Sequence, residues 1–345
     1  MAQNPYTITF GREPKLAIAR TQQAATLESA FQMDEPSNQV FMITGPRGAG
    51  KTVFMTHVAN KLADDSRWIV VELNPERDLL HALASKLSGQ NALAQVFKEA
   101  KINLSFFGFG MNISGVAPIT DIESALSEML GSIKRKHKRV LILIDEVTNT
   151  PAMREFAAAF QIFLRQDQPV FLLMTGPYES ISELQDEKSL TFLYRAPKIK
   201  LKPLNVGTIS RSYQRTLNIP ADDALRMARL TRGYSFAFQV LGFLVWEHGN
   251  MDEAVYDEFR QYLDEYVYDK VWSELSPGDR RLAWGIAQSK TGKVSDVRAL
   301  LDMTTNQFNP YRMRLIRKDL VDGETRGLVR CVLPEFEAYV LEHFE

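Results

Sequence analysis

The sequence contains very little cysteine, since Cys331 is the only one among 345 residues. The chain therefore cannot form an internal disulfide, which is typical of proteins in a reducing cytoplasm. It also lacks a run of about 18 apolar residues, the length that a membrane-spanning helix needs. Its first residues contain no apolar signal core, so we expect a cytoplasmic protein that is neither secreted nor inserted in a membrane.

The chain also lacks an excess of charge of one sign, because its formal net charge is −1. A nucleic-acid partner therefore cannot be inferred from the whole chain and needs a local basic patch. With 45% hydrophobic and 24% charged residues, the composition is ordinary for a soluble globular protein. The length favours two or three domains.

Short apolar runs alternate with segments of helical spacing between residues 39 and 204. The runs lie at 40–45, 68–73, 139–146, 169–176 and 198–204. They are rich in Val, Ile, Leu and Phe without polar alternation, as strands buried on both faces are. The intervening segments carry apolar stripes such as Phe156, Ala159, Phe160 and Phe163. This order predicts an α/β fold, a parallel sheet with helices on both faces.

Changes of pattern along the chain predict three domains. The α/β domain covers residues 1–204, a small helical lid covers 205–272, and a third domain covers 273–345. The lid is predicted because its pattern is helical throughout.

Residues 102–116 interrupt the α/β rhythm with partial alternation and three glycines. We predict an inserted β-hairpin there. Its aromatic residues Phe106, Phe107 and Phe109 form either a contact surface or a cover for the sheet and the neighbouring helix.

The segment TGPRGAGKT at 44–52 is the most informative motif of the chain. It matches G-x-x-x-x-G-K-[ST] between a strand pattern and a helix pattern, as the phosphate loop of P-loop NTPases does. Its glycines let backbone N–H groups turn inward around phosphates, and the following helix start adds a positive field. Lys51 is expected to reach the β- and γ-phosphates, and the Thr52 hydroxyl to bind Mg²⁺. The predicted nucleotide contacts are Gly45, Pro46, Arg47, Gly48, Ala49, Gly50, Lys51, Thr52 and Val53.

An acidic pair, Asp145 and Glu146, ends the strand pattern VLILIDE. Parallel strands place ligands at their carboxyl ends. Asp145 is therefore expected in the Mg²⁺ shell, and Glu146 as the base that orients and deprotonates the attacking water. This pair favours a hydrolysing ATPase over a small-molecule kinase.

Two further polar residues are candidates for the same chemistry. Thr175 ends the next strand pattern. It either contacts the γ-phosphate or the attacking water, or it is an ordinary turn residue without such a role. Arg195 precedes the fifth strand pattern. Its guanidinium either neutralises charge on the γ-phosphate of its own or a neighbouring subunit, or forms a surface ion pair.

In its order of motifs the chain resembles the AAA+ ATPases, specifically the bacterial ATP-binding proteins related to origin-recognition initiators and to STAND signalling ATPases. The resemblance spans nearly the whole chain. It rests on the following segments: TFG at 9–11, the phosphate loop, LIDEV, FQIFLRQDQPVFLLMTG, TFLYRA, LTRGYSFAFQVLG and the tail from NPYRMRLIRKDL to VLPEFEAYV.

The resemblance implies a lid that covers ATP or ADP near Gly233. Initiators carry a sensor arginine there in a G-x-x-R pattern, whereas this chain has Phe236 in the fourth position and Arg232 just before the glycine. STAND proteins have a proline where this chain has Ser235. The base-contacting GR pair of the family appears here only as Ala19-Arg20.

Residues 273–345 read as a winged helix. SPGD at 276–279 is a helix start, with Ser276 as N-cap and Pro277 in the first turn. Further helices are predicted over 295–302, capped by Ser295, and from Pro310 onward, capped by Asn309. Two short strands around Gly323 and Gly327 would form the wing.

The third helix of this module has two predicted faces. Met313, Ile316 and Leu320 share the core face, while Arg314, Arg317 and Lys318 share another. Arg326 and Arg330 lie on the wing, and residues 303–330 hold six basic and three acidic residues, a net charge of +3. This surface suits duplex DNA. Alternatively, the module binds protein or packs against its own ATPase domain.

Three hypotheses follow for the whole chain. The first is an Mg²⁺-dependent ATPase switch that binds DNA through the winged helix. The second is a STAND-type regulatory ATPase that turns over slowly and docks a protein partner. A metabolic P-loop kinase is the third, but it leaves the lid and winged helix without a role. The sequence leaves self-assembly open.

Overall fold

A computed structural model of the chain describes residues 3–9, 14–109, 112–187 and 190–344. The described chain divides into two compact units. The sheet unit comprises residues 21–44 and 54–200, and the helical unit comprises residues up to 20, 45–53 and those from 201. No helix among the described residues is long and apolar enough to cross a membrane.

The sheet unit contains the alternation of strands and helices that the apolar runs predict. Its elements, with the helix that leads out of the phosphate loop, are α1 Thr21–Gln32, β1 Val40–Thr44, α2 Lys51–Ala63, β2 Trp68–Leu73, α3 Leu79–Ser88, α4 Asn91–Glu99, α5 Ile122–Arg135, β3 Arg139–Ile144, α6 Pro151–Arg165, β4 Val170–Gly176, α7 Tyr178–Gln185, α8 Thr191–Tyr194 and β5 Lys198–Lys200.

The five strands form one parallel sheet in the order β2-β3-β4-β1-β5. Every residue of β1 and β4 is buried, as expected for strands covered on both faces. The predicted α/β class and all five strands are confirmed. β5 is shorter than predicted and ends at Lys200, because it is an edge strand that pairs only with β1.

The register brings the carboxyl ends of three strands to one edge of the sheet. Thr44 at the end of β1 is level with Gly176 of β4, and Ile144 at the end of β3 is level with Met174 of β4. The next residues after these strand ends are therefore placed at the edge where parallel sheets bind ligands.

The core of the sheet unit is lined by α3, α5 and α6. The predicted stripe of α6, including Phe156, Phe160 and Phe163, is fully buried. Thr150 caps this helix by accepting a hydrogen bond from the Met153 N–H, which fixes where the helix begins.

The predicted β-hairpin at 102–116 is wrong over the described residues. Residues 102–109 and 112–116 contain no strand, and Ser105–Phe107 form one turn of 3-10 helix. The reason is a local side chain: buried Asn103 donates its amide to the Val116 carbonyl at 2.6 Å. This bond closes a compact loop without a ladder of backbone pairs. Residues 110 and 111 lie outside the described part of the chain.

The three phenylalanines of this loop differ in their surroundings. Phe106 is 62% exposed. Phe107 and Phe109 are partly buried and pack against the core of the sheet unit. Two of the three thus cover the unit, and one projects outward.

The helical unit is built from one continuous core. Its elements are α9 Val206–Leu217, α10 Ala221–Leu230, α11 Ser235–His248, α12 Glu253–Leu263, the π-helical turn Asp264–Tyr268, α13 Asp269–Ser273, α14 Pro277–Gln288, α15 Val294–Leu301, α16 Thr305–Arg317 and α17 Phe336–His343. Every residue from 236 to 242 of α11 is buried, as in a central helix. The predicted boundaries at 204/205 and 272/273 stay predictions.

The π-helical turn places an acid among other charges. Burial raises the pKa of Asp264 to about 6, against the opposing effect of Arg260. Glu342 and Asp269 raise this pKa further, whereas His343 lowers it. Asp264 therefore has a raised pKa where the π-helical turn contacts α17.

The helices of the C-terminal module begin at partly different residues from those predicted. Ser276 caps α14 and Pro277 lies in its first turn, as predicted. By contrast, the N-cap of α15 is Lys293 rather than Ser295. α16 begins at Thr305 rather than Pro310, because Thr304 and Gln307 form a capping box that precedes Asn309.

The buried face of α16 also differs from the prediction. Phe308 and Leu315 face the core, while Met313 is 44% exposed. The earlier helix start explains this, since it adds Phe308 seven residues before Leu315, on the same side of the helix. Leu320 is buried as predicted, and Ile316 is partly buried.

Short antiparallel contacts follow α16 where the wing is predicted. Val321 pairs with Cys331 and Lys293 with Leu328, as isolated bridges. The Asp322 N–H donates to the Arg330 carbonyl at 2.8 Å. These contacts form a hairpin-like turn without regular strands.

Candidate nucleotide-binding site

The loop between β1 and α2 has the backbone that its glycines allow. Gly48 and Gly50 have φ of 74° and 86°, a conformation that other residues rarely adopt. α2 begins directly at Lys51, and the first N–H groups of a helix have no partner within that helix. The Lys51 ammonium lies over the loop and donates to the carbonyls of Gly45 at 3.0 Å and Pro46 at 3.1 Å. The loop can therefore present backbone N–H groups and one ammonium to an anion.

Three successive carbonyl oxygens of this loop accept hydrogen bonds from the start of α11. The Tyr234 hydroxyl donates to the Arg47 carbonyl. The Phe236 N–H donates to the Gly48 carbonyl at 3.1 Å, and the Ser235 hydroxyl donates to the Ala49 carbonyl at 2.9 Å. These three contacts were not predicted from the sequence, because residues so far apart in the chain share no local pattern.

Gly48 is also required by the packing of Tyr234. A Cβ at this position would lie 2.1 Å from the Tyr234 hydroxyl oxygen, much closer than contact distance. Tyr234 is buried, and burial raises the pKa of its hydroxyl well above the ordinary value. The tyrosine therefore remains a neutral donor to the loop.

Arg20, in the N-terminal segment, supports one of these carbonyls, that of Ala49. It donates to the carbonyl of Ala49 at 3.1 Å, to the Ser235 hydroxyl at 3.3 Å and to the Lys202 carbonyl. Burial lowers its pKa to about 10, so the guanidinium stays charged at neutral pH. The resemblance implies a base contact for Ala19-Arg20, whereas here Arg20 holds the phosphate loop. The TFG segment lies mostly outside the described residues, because Phe10 and Gly11 are not among them.

Gly233 shapes the turn that leads into α11. Its φ is 76°, and a Cβ there would lie 2.4 Å from the Leu204 carbonyl oxygen. The Leu204 N–H donates back to the Gly233 carbonyl at 2.7 Å. Arg232, just before it, turns to the C-terminal module and bonds to Glu337. Arg232 is therefore not a displaced sensor arginine over the loop.

In the sheet unit, Asp145 and Glu146 directly follow β3. The Thr175 hydroxyl donates to Asp145 and accepts from the Glu146 N–H at 3.3 Å. Thr175 is fully buried, and Glu146 has φ of 52°, which ends the strand and leaves its side chain exposed. The hydroxyl of Thr175 thus orients the acidic pair; its contact with a phosphate or water stays a prediction.

Arg195 caps the C-terminus of α8 and is exposed. It precedes β5 by three residues, on the side of the sheet where that strand begins. Its guanidinium makes no ion pair within the described residues, and its neighbour Tyr194 is 73% exposed. The structure therefore does not place Arg195 at the carboxyl ends of the strands.

The predicted DNA contacts divide into two groups. Arg314 forms an ion pair with buried Asp279, with Nε 2.9 Å from Oδ1. Lys318 is partly buried as the C-cap of α16. Arg317 and Arg326 are exposed. Of these four residues, only Arg317 and Arg326 direct their charge to solvent without a structural partner in the described chain.

Comparison with known families and structures agrees with this geometry. Residues 20–166 match the model of a family described as an ATPase domain predominantly from Archaea. Residues 265–340 match a domain of unknown function. A comparison with curated proteins finds no match.

Two solved structures are similar over almost the whole chain. A Walker-type ATPase of Pyrococcus abyssi is 16% identical with a TM-score of 0.67, and the match covers 94% of this chain and 95% of that one. The ORC2 protein of Aeropyrum pernix, solved in ADPNP-ADP complexes, is 14% identical with a TM-score of 0.61, covering 97% and 95%. Residues 20–166 therefore resemble the ATPase domain of this family, and the chain has the α/β fold of these two solved P-loop ATPases.

Proposed function

We propose that the protein is a cytoplasmic ATP-dependent switch that binds ATP and ADP with Mg²⁺ and hydrolyses ATP. The observation that supports this most strongly is the phosphate loop itself. Its glycines have positive φ, and its carbonyls at residues 47, 48 and 49 are all held by donors. A peptide unit that directs its oxygen to a donor on one side directs its N–H to the opposite side, where a phosphate would bind. The N–H groups concerned are those of residues 48, 49 and 50, of which the Ala49 N–H donates to the Pro46 carbonyl at 3.2 Å.

The roles of the phosphate-loop residues follow from their chemistry. The proposed contacts from Gly45 to Val53 cradle the phosphates, with Lys51 as the cation. The lid turn at Gly233 completes the nucleotide site. Among the described residues no cluster of three His, Cys, Asp or Glu side chains forms a metal site. Mg²⁺ instead takes oxygen donors together with phosphates and water, and the Thr52 hydroxyl and the Asp145 carboxylate fit that donor set.

Hydrolysis requires a base and a means to orient it. We assign the base to Glu146, whose exposed side chain and left-handed backbone follow the buried strand β3. Thr175 positions Asp145 and Glu146 through its buried hydroxyl. When bound, Mg²⁺ would polarise the phosphate oxygens and offset their charge, and Thr52 and Asp145 would hold it. Arg195, exposed at the start of β5, is proposed to act on a second copy of the chain.

The C-terminal module is proposed to be a winged helix that binds duplex DNA. The outward face of α16 carries the exposed amides Asn306 and Asn309 and the exposed Arg317. Arg326 and Arg330 are exposed on the wing. Asparagine amides pair with adenine edges in the major groove, and arginines contact phosphates. Arg314 is left out of this surface because Asp279 holds it.

A titration of duplex DNA against salt tests this proposal. Three arginine contacts predict a slope of about −3 in a plot of log affinity against log salt. Arg317→Glu should weaken binding and reduce the magnitude of the slope by about 1 or more. Arg229, exposed on α10, provides a matched control as Arg229→Glu.

A second candidate is a STAND-type switch that docks a protein partner. It is favoured by the shared core of the lid and the C-terminal module and by the use of Arg314 in an internal ion pair. Absence of duplex binding at low salt, with nucleotide binding intact, would select this candidate.

The nucleotide itself is tested by equilibrium binding of ADP and a non-hydrolysable ATP analogue in the presence of Mg²⁺. We expect saturable binding that Lys51→Ala weakens. Failure to bind either nucleotide at millimolar concentration would overturn the proposed function.

A further inference from the structure

One short turn, residues 231–236, contacts both the phosphate loop and residues 331–337 of the C-terminal module. On one side, Tyr234, Ser235 and Phe236 donate to the loop carbonyls 47–49. On the other side, Arg232 bonds to the chain between residues 331 and 337. All these residues belong to the helical unit.

The loop side of the turn acts on the peptide groups that would contact a phosphate. A peptide bond is planar, so the carbonyl of one residue and the N–H of the next rotate together. The carbonyls of Arg47, Gly48 and Ala49 therefore share their planes with the N–H groups of residues 48, 49 and 50. Any rotation of these N–H groups toward a phosphate also moves the oxygens that the turn holds.

The other side of the turn rests on the Arg232 guanidinium. Its Nη1 lies 3.2 Å from the Cys331 carbonyl, 3.0 Å from the Leu333 carbonyl and 3.0 Å from Glu337 Oε1. Burial by itself lowers the pKa of Arg232, but its hydrogen bond and attraction to Glu337 outweigh this effect and raise it. The guanidinium is therefore a permanent cation that joins the turn to α17 and the segment before it.

The turn between these two sides has little freedom to absorb movement. Arg232 has φ of 47°, which is uncommon for a residue with a side chain, and Gly233 follows at 76°. Gly233 lies against Pro203 and Leu204 with no room for a Cβ. The Thr231 hydroxyl accepts from the Gly233 N–H at 3.2 Å and donates to the Ala228 carbonyl at 2.7 Å. A backbone that is fixed from several sides in this way resists local rearrangement.

We propose that the turn 231–236 couples the nucleotide state of the phosphate loop to the C-terminal module, with Tyr234 and Ser235 as positioning residues for the loop and Arg232 as the link to residues 331–337. This coupling rests on the proposed nucleotide binding. It takes the place of a sensor arginine, which the chain lacks at position 236. A ligand that favours one loop geometry favours the matching arrangement of the turn, and with it that of the linked segment.

Hydrogen-deuterium exchange measured with and without saturating ADP, or the non-hydrolysable ATP analogue, tests the link. In the native chain we expect nucleotide to change exchange across 331–343 by about fivefold or more. Arg232→Ala should bind nucleotide but lose most of this difference. Arg232→Lys, which keeps a cationic donor, should restore part of it. The measured quantity is the difference in hydrogen exchange between the nucleotide-free and the nucleotide-bound protein. A uniform loss of stability neither creates nor removes this difference.

Matched variants keep the test decisive if Arg232→Ala folds poorly. Glu337→Gln removes the ion pair from the opposite side while leaving the two carbonyl partners of Arg232, so a partial loss is expected. Arg229→Ala, exposed on α10, should behave as the native chain does. On the loop side, Tyr234→Phe removes the hydrogen bond to the Arg47 carbonyl, and Ser235→Ala removes the one to the Ala49 carbonyl together with the one that the Ser235 hydroxyl accepts from Arg20. Each should weaken nucleotide affinity by about 2- to 12-fold.

The possible failures are distinguishable. Nucleotide binding without any change across 331–343 in the native chain overturns the coupling alone. The same conclusion follows if Arg232→Ala and Glu337→Gln both retain the full nucleotide-dependent difference. No nucleotide binding by the native chain overturns the proposed function, and the coupling with it.

Discussion

Removing the Arg314 guanidinium is expected to destabilise the C-terminal module, because Arg314 is the charged partner of a buried carboxylate. The Asp279 side chain is only 3% exposed, and Arg314 Nε lies 2.9 Å from Oδ1 and 3.2 Å from Oδ2. The same carboxylate accepts from the Ser276 hydroxyl at 2.6 Å. Arg314→Ala would leave this carboxylate inside the module without its cation.

The magnitude follows from the burial of the two partners. Breaking a fully buried ion pair costs about 3–5 kcal/mol. Here Arg314 is 40% exposed, and Ser276 continues to donate to the carboxylate, so we expect about 2–3 kcal/mol. The guanidinium also lies 4.6 Å from the centre of the Tyr311 ring, a contact that adds about 0.5–1 kcal/mol. By contrast, Arg317→Ala on the exposed face should change stability by less than about 0.5 kcal/mol.

Native-state hydrogen exchange of the amides in α14 and α16 measures this difference directly. Arg314→Ala should lower their protection free energy by the amount given above, while Arg317→Ala should not. A double-mutant cycle with Asp279→Asn should yield a coupling energy of about 1–2 kcal/mol between the two side chains. Equal, small effects of Arg314→Ala and Arg317→Ala would refute the structural role of Arg314.

Four further predictions concern the loop, the acidic pair and the π-helical turn. Lys51→Ala should weaken ADP binding at least about tenfold, since the ammonium is a charged donor; isothermal titration checks this. Glu146→Gln should keep ADP affinity but slow phosphate release in steady-state assays by about 10²–10⁴, and equal turnover would remove its role as base. Gly48→Ala should lower nucleotide affinity and thermal stability together, because its Cβ would collide with the Tyr234 hydroxyl. Asp264 has a folded pKa of about 6, above its ordinary 3.8, so its contribution to stability is present below about pH 4 and is lost as pH rises through 6. In thermal melts between pH 4 and 8, Asp264→Asn should be more stable than the native chain only at the upper end, by about 1–2 kcal/mol because solvent screens this half-buried group.

Much of the ATPase part could be predicted from sequence, because its signals are local. Strands buried on both faces appear as continuous apolar runs, and β1 to β4 were found within about one to two residues of those runs. The phosphate loop and the pair Asp145 and Glu146 are likewise contiguous motifs at strand ends. The α6 stripe follows from helical periodicity alone.

Local patterns were less reliable where two of them competed. The capping box of Thr304 and Gln307 starts α16 ahead of the Asn309-Pro310 pair that suggested a later start. At 102–116 the alternation resembled a hairpin, but the buried Asn103 amide closes a loop instead. In both cases a side-chain hydrogen bond decided between backbone conformations that the sequence pattern allows.

The positions of the strands along the chain, the phosphate loop and the acidic pair can be predicted from local sequence, because each depends on residues that are neighbours in the chain. Which distant side chains contact them depends on the folded arrangement. Tyr234 and Ser235 hold carbonyls almost two hundred residues earlier in the chain, and Arg314 faces Asp279 rather than solvent. Hydrogen bonds and ion pairs depend on the distance between atoms in space. For residues far apart in the chain, this distance cannot be inferred from their spacing in the sequence.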